Sequence, residues 1–181
     1  LSRASSSRHV SAQALLYQAD TCRELDALDN CVAAAVEARR LAEFDNESTL
    51  AGEACDLQAS TLLRLGRDQE VLLACDAGRI HFQQAGRADR VAQIHDIAVT
   101  AHLRLGQLDA AHQVARDRLA VARLSGANTS RARYRLAEVL VRRGKHKKAL
   151  KQAAAAQKEY QQAEDLVGVA KCQWLGGDAL M

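Results

Sequence analysis

Apolar positions along the chain recur at three- and four-residue intervals, the spacing that gathers them on one face of an α-helix. Leu57, Thr61, Leu62 and Leu65 make one such face, and Val71, Leu72, Cys75, Ile80 and Phe82 make the next. Farther on, Ala149, Ala153, Ala154, Ala155 and Ala156 form a cluster of small residues suited to close helix approach. Strands rich in β-branched and aromatic residues have nowhere to form. A lone helix pair cannot bury such a face, so the pattern predicts pairs stacked on pairs.

Punctuation between the helical segments repeats. Leu-Arg-Leu-Gly ends at Gly66 and again at Gly106, and Val-Arg-Arg-Gly ends at Gly144, steps of 40 and 38 residues. A second series falls between them at Gly86, Gly126 and Glu164, also 40 and 38 apart. Both series lose two residues at the same place, between Gly126 and Gly144. Stepping back by 40 puts Asp26 and Asn46 in the two columns, and both residue types tolerate turns and left-handed backbone. The chain is therefore expected to hold four helix pairs over roughly 8–46, 47–86, 87–126 and 127–164, with a partial unit over 165–181. Segments of about eighteen residues give helices some 25 Å long. Glycine supplies the left-handed cap that reverses the chain, and such short loops force antiparallel neighbours.

These units resemble the tetratricopeptide repeat (TPR), whose W-x2-L-G-x2-Y…A-x3-F layout can be laid over each of them. Its columns fall on Cys55, Gln58, Ala59, Leu62, Val71 and Cys75 in the second unit and on His95, Ala98, Val99, His102, Ala111 and Ala115 in the third. In the fourth they fall on Arg133, Leu136, Ala137, Leu140, Ala149 and Ala153, and in the first on Leu15, Gln18, Ala19, Cys22, Cys31 and Ala35. Small-residue columns match, the aromatic columns match poorly, and Arg133 departs from the pattern. The usual unit is 34 residues; here it is about 40, as in extended variants of the repeat. The resemblance implies an all-α, right-handed superhelix of about four hairpins plus a C-terminal helix, treated as one domain over 1–181.

Composition supports the all-α reading and narrows the chemistry. Among the 181 residues there is no proline, 3% are aromatic and 48% hydrophobic, with Ala and Leu prominent, and both favour helix. The net charge of +3 is too small to argue for nucleic acid by itself. No apolar run reaches membrane-spanning length and no export signal is visible, so a cytoplasmic location without membrane association is expected. The chain starts at Leu1 and its one methionine is Met181, which suggests a piece of a longer chain. Cys22, Cys31, Cys55, Cys75 and Cys172 form no C-x-x-C pair. They suit small buried hydrophobes, with a redox role for Cys22 and Cys31 as the alternative. The six histidines show no recognised metal-ligand spacing, and no phosphate loop or nucleophile elbow occurs. Neither cofactor, metal nor catalytic residue is expected.

The resemblance further implies that the first helices of successive units line a concave groove for a protein or peptide partner. Carried over column by column, the groove residues are Asp20, Glu53, Asp56 and Asp96 early in the chain, then Arg104, Arg131, Tyr134, Arg142, Lys171 and Trp174. An acidic start and a basic end would orient a bipolar segment and speed its association. Solvated helix faces are charged anyway, so that reading stays open beside the functional one. Tyr134 and Trp174 share one column and belong to residue types common at hot spots; alternatively Trp174 packs on a following helix. Leu16 and Asp20 stand where chaperone-tail binders need Lys and Asn, which argues against that subclass. The run Arg142, Arg143, Lys145, His146, Lys147, Lys148 and Lys151 could touch phosphates or carboxylates. It lacks interleaved aromatics for base stacking, so a solvated turn is favoured and nucleic acid is not expected as a partner. Expected functions are a protein-interaction scaffold or a sensory, autoinhibitory module of a larger signalling or transcription regulator. Self-association through alanine-rich faces is a third possibility.

Overall fold

The computed structural model describes residues 2–178, with side chains from 5 to 177. Residues 179–181, the end of the expected partial unit, lie outside the described residues. All regular structure in the described part is α-helical: α1 Ser2–Glu24, α2 Leu28–Phe44, α3 Ser48–Arg64, α4 Asp68–Gln84, α5 Ala88–Arg104, α6 Leu108–Leu124, α7 Ser130–Arg142, α8 His146–Gln162 and α9 Leu166–Asp178. Each helix from α1 to α8 ends two residues before a punctuation residue. Two boundaries differ. Helix α1 begins at Ser2 rather than near residue 8, and α7 has 13 residues where α3, α4, α5, α6 and α8 have 17. The missing turn of α7 lies within the segment between Gly126 and Gly144 where both punctuation series lose two residues.

Every punctuation residue carries left-handed backbone. The φ angles at Gly66, Gly86, Gly106, Gly126 and Gly144 lie between 67° and 73°, and Asp26, Asn46 and Glu164 adopt 60°, 58° and 56°. After each of these the next amide donates to the carbonyl five residues earlier, as in Ala27 to Cys22, Glu47 to Ala42, Arg67 to Leu62 and Asp165 to Tyr160, at 2.8–3.0 Å. This is the Schellman closure, which satisfies helix-end carbonyls and reverses the chain in a few residues. At Asp26, Asn46 and Glu164 the same geometry is held without glycine, against a steric preference of roughly 1–2 kcal/mol.

The contacts divide the chain into two compact units, residues 1–101 and 102–181. In the first, α1 packs on α2, α2 on α3 and α3 on α4, and α1 also touches α3. In the second, α6 packs on α7, α7 on α8 and α8 on α9, and α7 also touches α9. Contacts between helices two apart arise because each hairpin leans on the next.

The core is built from small residues with a few large ones set into them. In the first unit Ala19, Cys31, Ala34 and Ala35 form one cluster with Cys22 and Leu57 against it, and Ala12, Ala42, Leu50 and Ala51 form another. Phe82 of α4 is fully buried over Gly52 of α3. A Cβ on Gly52 would stand 2.6 Å from the ring, so only glycine leaves room there. The Arg90 guanidinium of α5 lies over the ring, 5.3 Å from its centroid. In the second unit the Tyr160 ring of α8 occupies the matching place against Gly168 of α9. Phe82 and Tyr160 both stand four residues before a left-handed turn, and Arg90 and Gly168 both stand four residues after one. Ala42 of α2 and Leu50 of α3 fill that pair of positions around Asn46, where they share a cluster. At Ala42 with Leu50 and at Tyr160 with Gly168 a larger residue sits against a smaller one, as close packing favours.

All of the TPR columns that carry alanine, valine or leucine in the second, third and fourth units are buried. Ile80, expected on the core face of α4, is instead half exposed at 47%. It sits two residues from Phe82, and the ring takes the interior position.

Candidate partner-binding faces

In the first unit, α1, α3 and α5 carry the acidic candidates: Asp20, Glu53 and Asp56 are half exposed and Asp96 is buried. Asp20 pairs with Arg23 one turn on, and Asp56 is 3.3 Å from Arg90. Asp56 also feels the charge of Arg23 and of Glu53. An electrostatic chain therefore runs Asp20, Arg23, Asp56, Arg90 across three successive first helices. Burial lifts the Asp56 carboxyl above its ordinary range, and Glu53 adds to this, while Arg90 and Arg23 oppose it. Arg90 also donates to Gln93 at 2.8 Å. Two of the four acidic candidates thus already have cationic partners, Asp20 on its own helix and Asp56 on the next first helix.

Glu53 differs from them. It is half buried and lines a shallow surface pocket with His9, Gln13, Glu47 and Leu50, and it has no hydrogen bond or ion pair among the described residues. At the pocket edge His9 meets both carboxylate oxygens of Glu47 at 2.7 Å. Asp96 is buried at 6% exposure. The repeat columns put it on the groove face, where its side chain is largely shielded from solvent.

In the second unit, Arg104, Arg131, Arg142 and Lys171 are exposed. Trp174 is 66% exposed on α9, an unusual position for the chain's one tryptophan. Tyr134, in the same sequence column, is half buried. It packs on Ala137, Ala153 and Leu175, and also on the cluster of Ala156, Tyr160 and Cys172. The column therefore splits: Trp174 offers its ring to solvent, whereas Tyr134 fills space among α7, α8 and α9.

Arg133, the residue that departs from the repeat layout, is anchored by α8. Its guanidinium reaches Glu159 at 2.6 Å and Gln152 at 3.3 Å, and Thr129 also donates to Glu159. A charged, hydrogen-bonded plug replaces the usual aromatic. The network escaped the sequence reading because Glu159 lies outside the repeat columns.

No disulfide forms among the described cysteines, all five being free thiols. Burial pushes Cys55 up to about 11 and Cys75 up to about 12, which keeps them protonated and unreactive at neutral pH. Cys22 and Cys31 belong to one apolar cluster. No group of three or more His, Cys, Asp or Glu that could hold a metal ion occurs among the described residues. No described helix is long and apolar enough to cross a membrane.

Comparison with known proteins places this architecture. No protein-family model matches the sequence, and no curated protein matches it. Solved structures do. Aspartyl phosphate phosphatase F from Bacillus subtilis superposes with a TM-score of 0.82 over 93% of this chain and 45% of its own, at 13% identity. A signal transduction ATPase with numerous domains (STAND) with a tetratricopeptide repeat sensor, from Pyrococcus horikoshii, gives 0.84 over 93% of this chain and 27% of its own, at 12% identity. A Rap protein complexed with competence and sporulation factor gives 0.70 over 94% and 54%, at 14% identity. The chain spans from about a quarter to about half the length of these proteins. Helical hairpins, left-handed closures and these superpositions together give the chain a TPR-like helical-repeat fold.

Proposed function

We propose that the chain is a protein-interaction scaffold that binds a partner through the faces of its first helices, and that it performs no catalysis itself. The observation that carries this reading is the separation of roles within those helices. Small residues face the core, Asp20 pairs with Arg23 on its own helix, Asp56 pairs with Arg90 of the next first helix, and Glu53 stays partly and Trp174 largely exposed. A large exposed aromatic with an exposed cation three residues before it, Lys171, has the composition of an interface anchor. Glu53 with the half-open pocket beside it suits a basic side chain. The 40-residue unit is read as an extended TPR variant.

A second reading is a sensory module within a longer signalling protein. It is favoured by the similarity to the STAND protein with a repeat sensor, of which this chain spans 27%. Both readings use the same faces and differ in what they are attached to.

Capture from a lysate of the source cell tests the reading, using the wild-type chain beside Trp174→Ala and Glu53→Lys. Both side chains are partly or largely exposed, so far-UV circular dichroism should be unchanged. Proteins retained by the wild type and lost with either variant are the expected result. Identical retention on all three would refute these faces as the binding site.

A further inference from the structure

Cations are distributed in this chain by type as well as by place. Residues 1–101 carry ten arginines, no lysine and fifteen acids; residues 102–181 carry nine arginines, all six lysines and seven acids, a balance of −5 against +8. In the first unit every arginine with a described side chain is ion-paired: Arg8, Arg23, Arg39, Arg40, Arg64, Arg67, Arg79, Arg87 and Arg90. No lysine makes a side-chain hydrogen bond or ion pair among the described residues. From Arg142 to Lys158 the chain has no acid at all.

Helix α8 concentrates these free charges. Lys147, Lys151 and Lys158 are exposed and fall within roughly 40° of one another around the helix, spread over about 16 Å of its length. Lys145, His146 and Lys148 are exposed at its start. The start of a helix is the positive end of its dipole, where acids stabilise and cations do not. The other second helices obey this: α2 has Asp29, α4 has Asp68 and Glu70, and α6 has Asp109 in the first turn. Helix α8 has no acid there. Lys147 stands in the column of Asp29, Gln69 and Asp109, and Lys148 in that of Asn30, Glu70 and Ala110. A local rule kept by three repeats and reversed in the fourth, with no hydrogen-bond or ion-pair partner among the described residues to compensate, marks a place shaped by function. On neighbouring α6, His112 is driven towards its neutral form by burial and by Arg143, Arg116 and Lys148, with Asp109 opposing.

We infer that the exposed face of α8 binds the phosphate backbone of a nucleic-acid duplex. The face has no aromatic for stacking on single-stranded bases, and its only apolar member between the lysines is Ala154. A protein partner needs buried apolar or aromatic anchors, since charge contributes more to rate than to affinity. A polyphosphate backbone needs only cations, because release of its counterions drives binding. The surface lies on a second helix, separate from the first-helix faces proposed above for a protein partner.

The test is fluorescence anisotropy of the full chain with 30-base-pair duplex DNA and duplex RNA of one random sequence, between 50 and 200 mM KCl. If Lys147, Lys148, Lys151 and Lys158 each meet a phosphate, affinity falls about 150-fold across that range for DNA. Lys147→Gln with Lys151→Gln should lower the salt slope by about 1.8, whereas the charge-matched Gln18→Glu with Gln69→Glu should leave it unchanged. Lys147→Asp with Lys148→Glu restores the pattern of the other repeats, so it should raise the thermal midpoint while abolishing binding. No binding to either duplex at 50 mM KCl overturns the inference. So does equal loss with the control pair, or binding to poly-glutamate or phosphatidylserine vesicles in place of duplex.

Discussion

Replacing Gly52 with alanine has an outcome whose sign depends on a ring in the next helix. Taken alone, the change should stabilise α3 by about 1 kcal/mol, because glycine inside a helix costs that much relative to alanine. In the folded chain the new Cβ would stand 2.6–3.0 Å from three atoms of the Phe82 ring, where about 3.5–4.0 Å is comfortable. The ring is fully buried and the Arg90 guanidinium lies over it, so it has little space into which to retreat. Overpacking of this kind costs about 1–3 kcal/mol, and Gly52→Ala should therefore destabilise by up to about 2 kcal/mol. Phe82→Ala should cost about 3–5 kcal/mol through lost burial and a cavity. Once the ring is gone the methyl at position 52 has room, and the same glycine substitution should turn stabilising by about 1 kcal/mol. Urea unfolding of the wild type, both single variants and the double variant completes a double-mutant cycle with a coupling of about 1–3 kcal/mol. Equal effects of Gly52→Ala in both backgrounds would refute the ring-over-glycine packing.

Other expectations follow from single features. Glu164→Gly should stabilise by up to about 1–2 kcal/mol, because it removes the left-handed strain of a side-chain-bearing residue at φ 56°, whereas Gly66→Ala should cost a similar amount; thermal midpoints decide both. Asp89 is held at about 2 by Arg87, below its ordinary 3.8. Its contribution should therefore be present above pH 3.8 and disappear as pH falls through 2, and for a pair this exposed it should be no more than about 1 kcal/mol. Asp56 has the opposite sign: with its folded value raised, stability should decline as pH climbs from 3.8 through that value. Asp56→Asn should remove that decline, and acid titration of the urea midpoint measures both slopes. Trp174→Ala should leave stability within about 0.5 kcal/mol of wild type, while Tyr134→Ala should lower it, because only the second ring packs against neighbouring helices.

The repeat was legible because its turns are. Left-handed backbone excludes most residues, so glycine, asparagine and aspartate at fixed steps mark helix ends even where the helices share little else. The exception, Glu164, was found only through its phase with Gly126. Core columns were legible for the same reason that they tolerate variation: any small residue fits where hairpins lean together. The faces were harder to read. Column logic put Asp20, Asp56 and Asp96 together with Glu53, but it carries no information on which acid meets Arg23 or Arg90, and none on burial. Asp96 and Tyr134 share columns with residues that remain more exposed, and only packing separates them. Gly52 gave a local signal, since a mid-helix glycine needs a packing reason, yet the aromatic that supplies it lies 30 residues away. The lysines are plain in the sequence as a basic run; what it does not show is that they make no hydrogen bond or ion pair among the described residues.

Amide hydrogen exchange followed by NMR tests the repeat most directly. The amides of Ala27, Glu47, Arg67, Arg87, Gln107, Ala127, Lys145 and Asp165 each bond the carbonyl five residues earlier. All eight lie just past a helix end, where loop amides ordinarily exchange at the free-chain rate. Slow exchange at these eight positions is expected. Exchange at the free-chain rate would contradict the hairpin closures, and with them the stack of repeats from which both proposed binding surfaces are built.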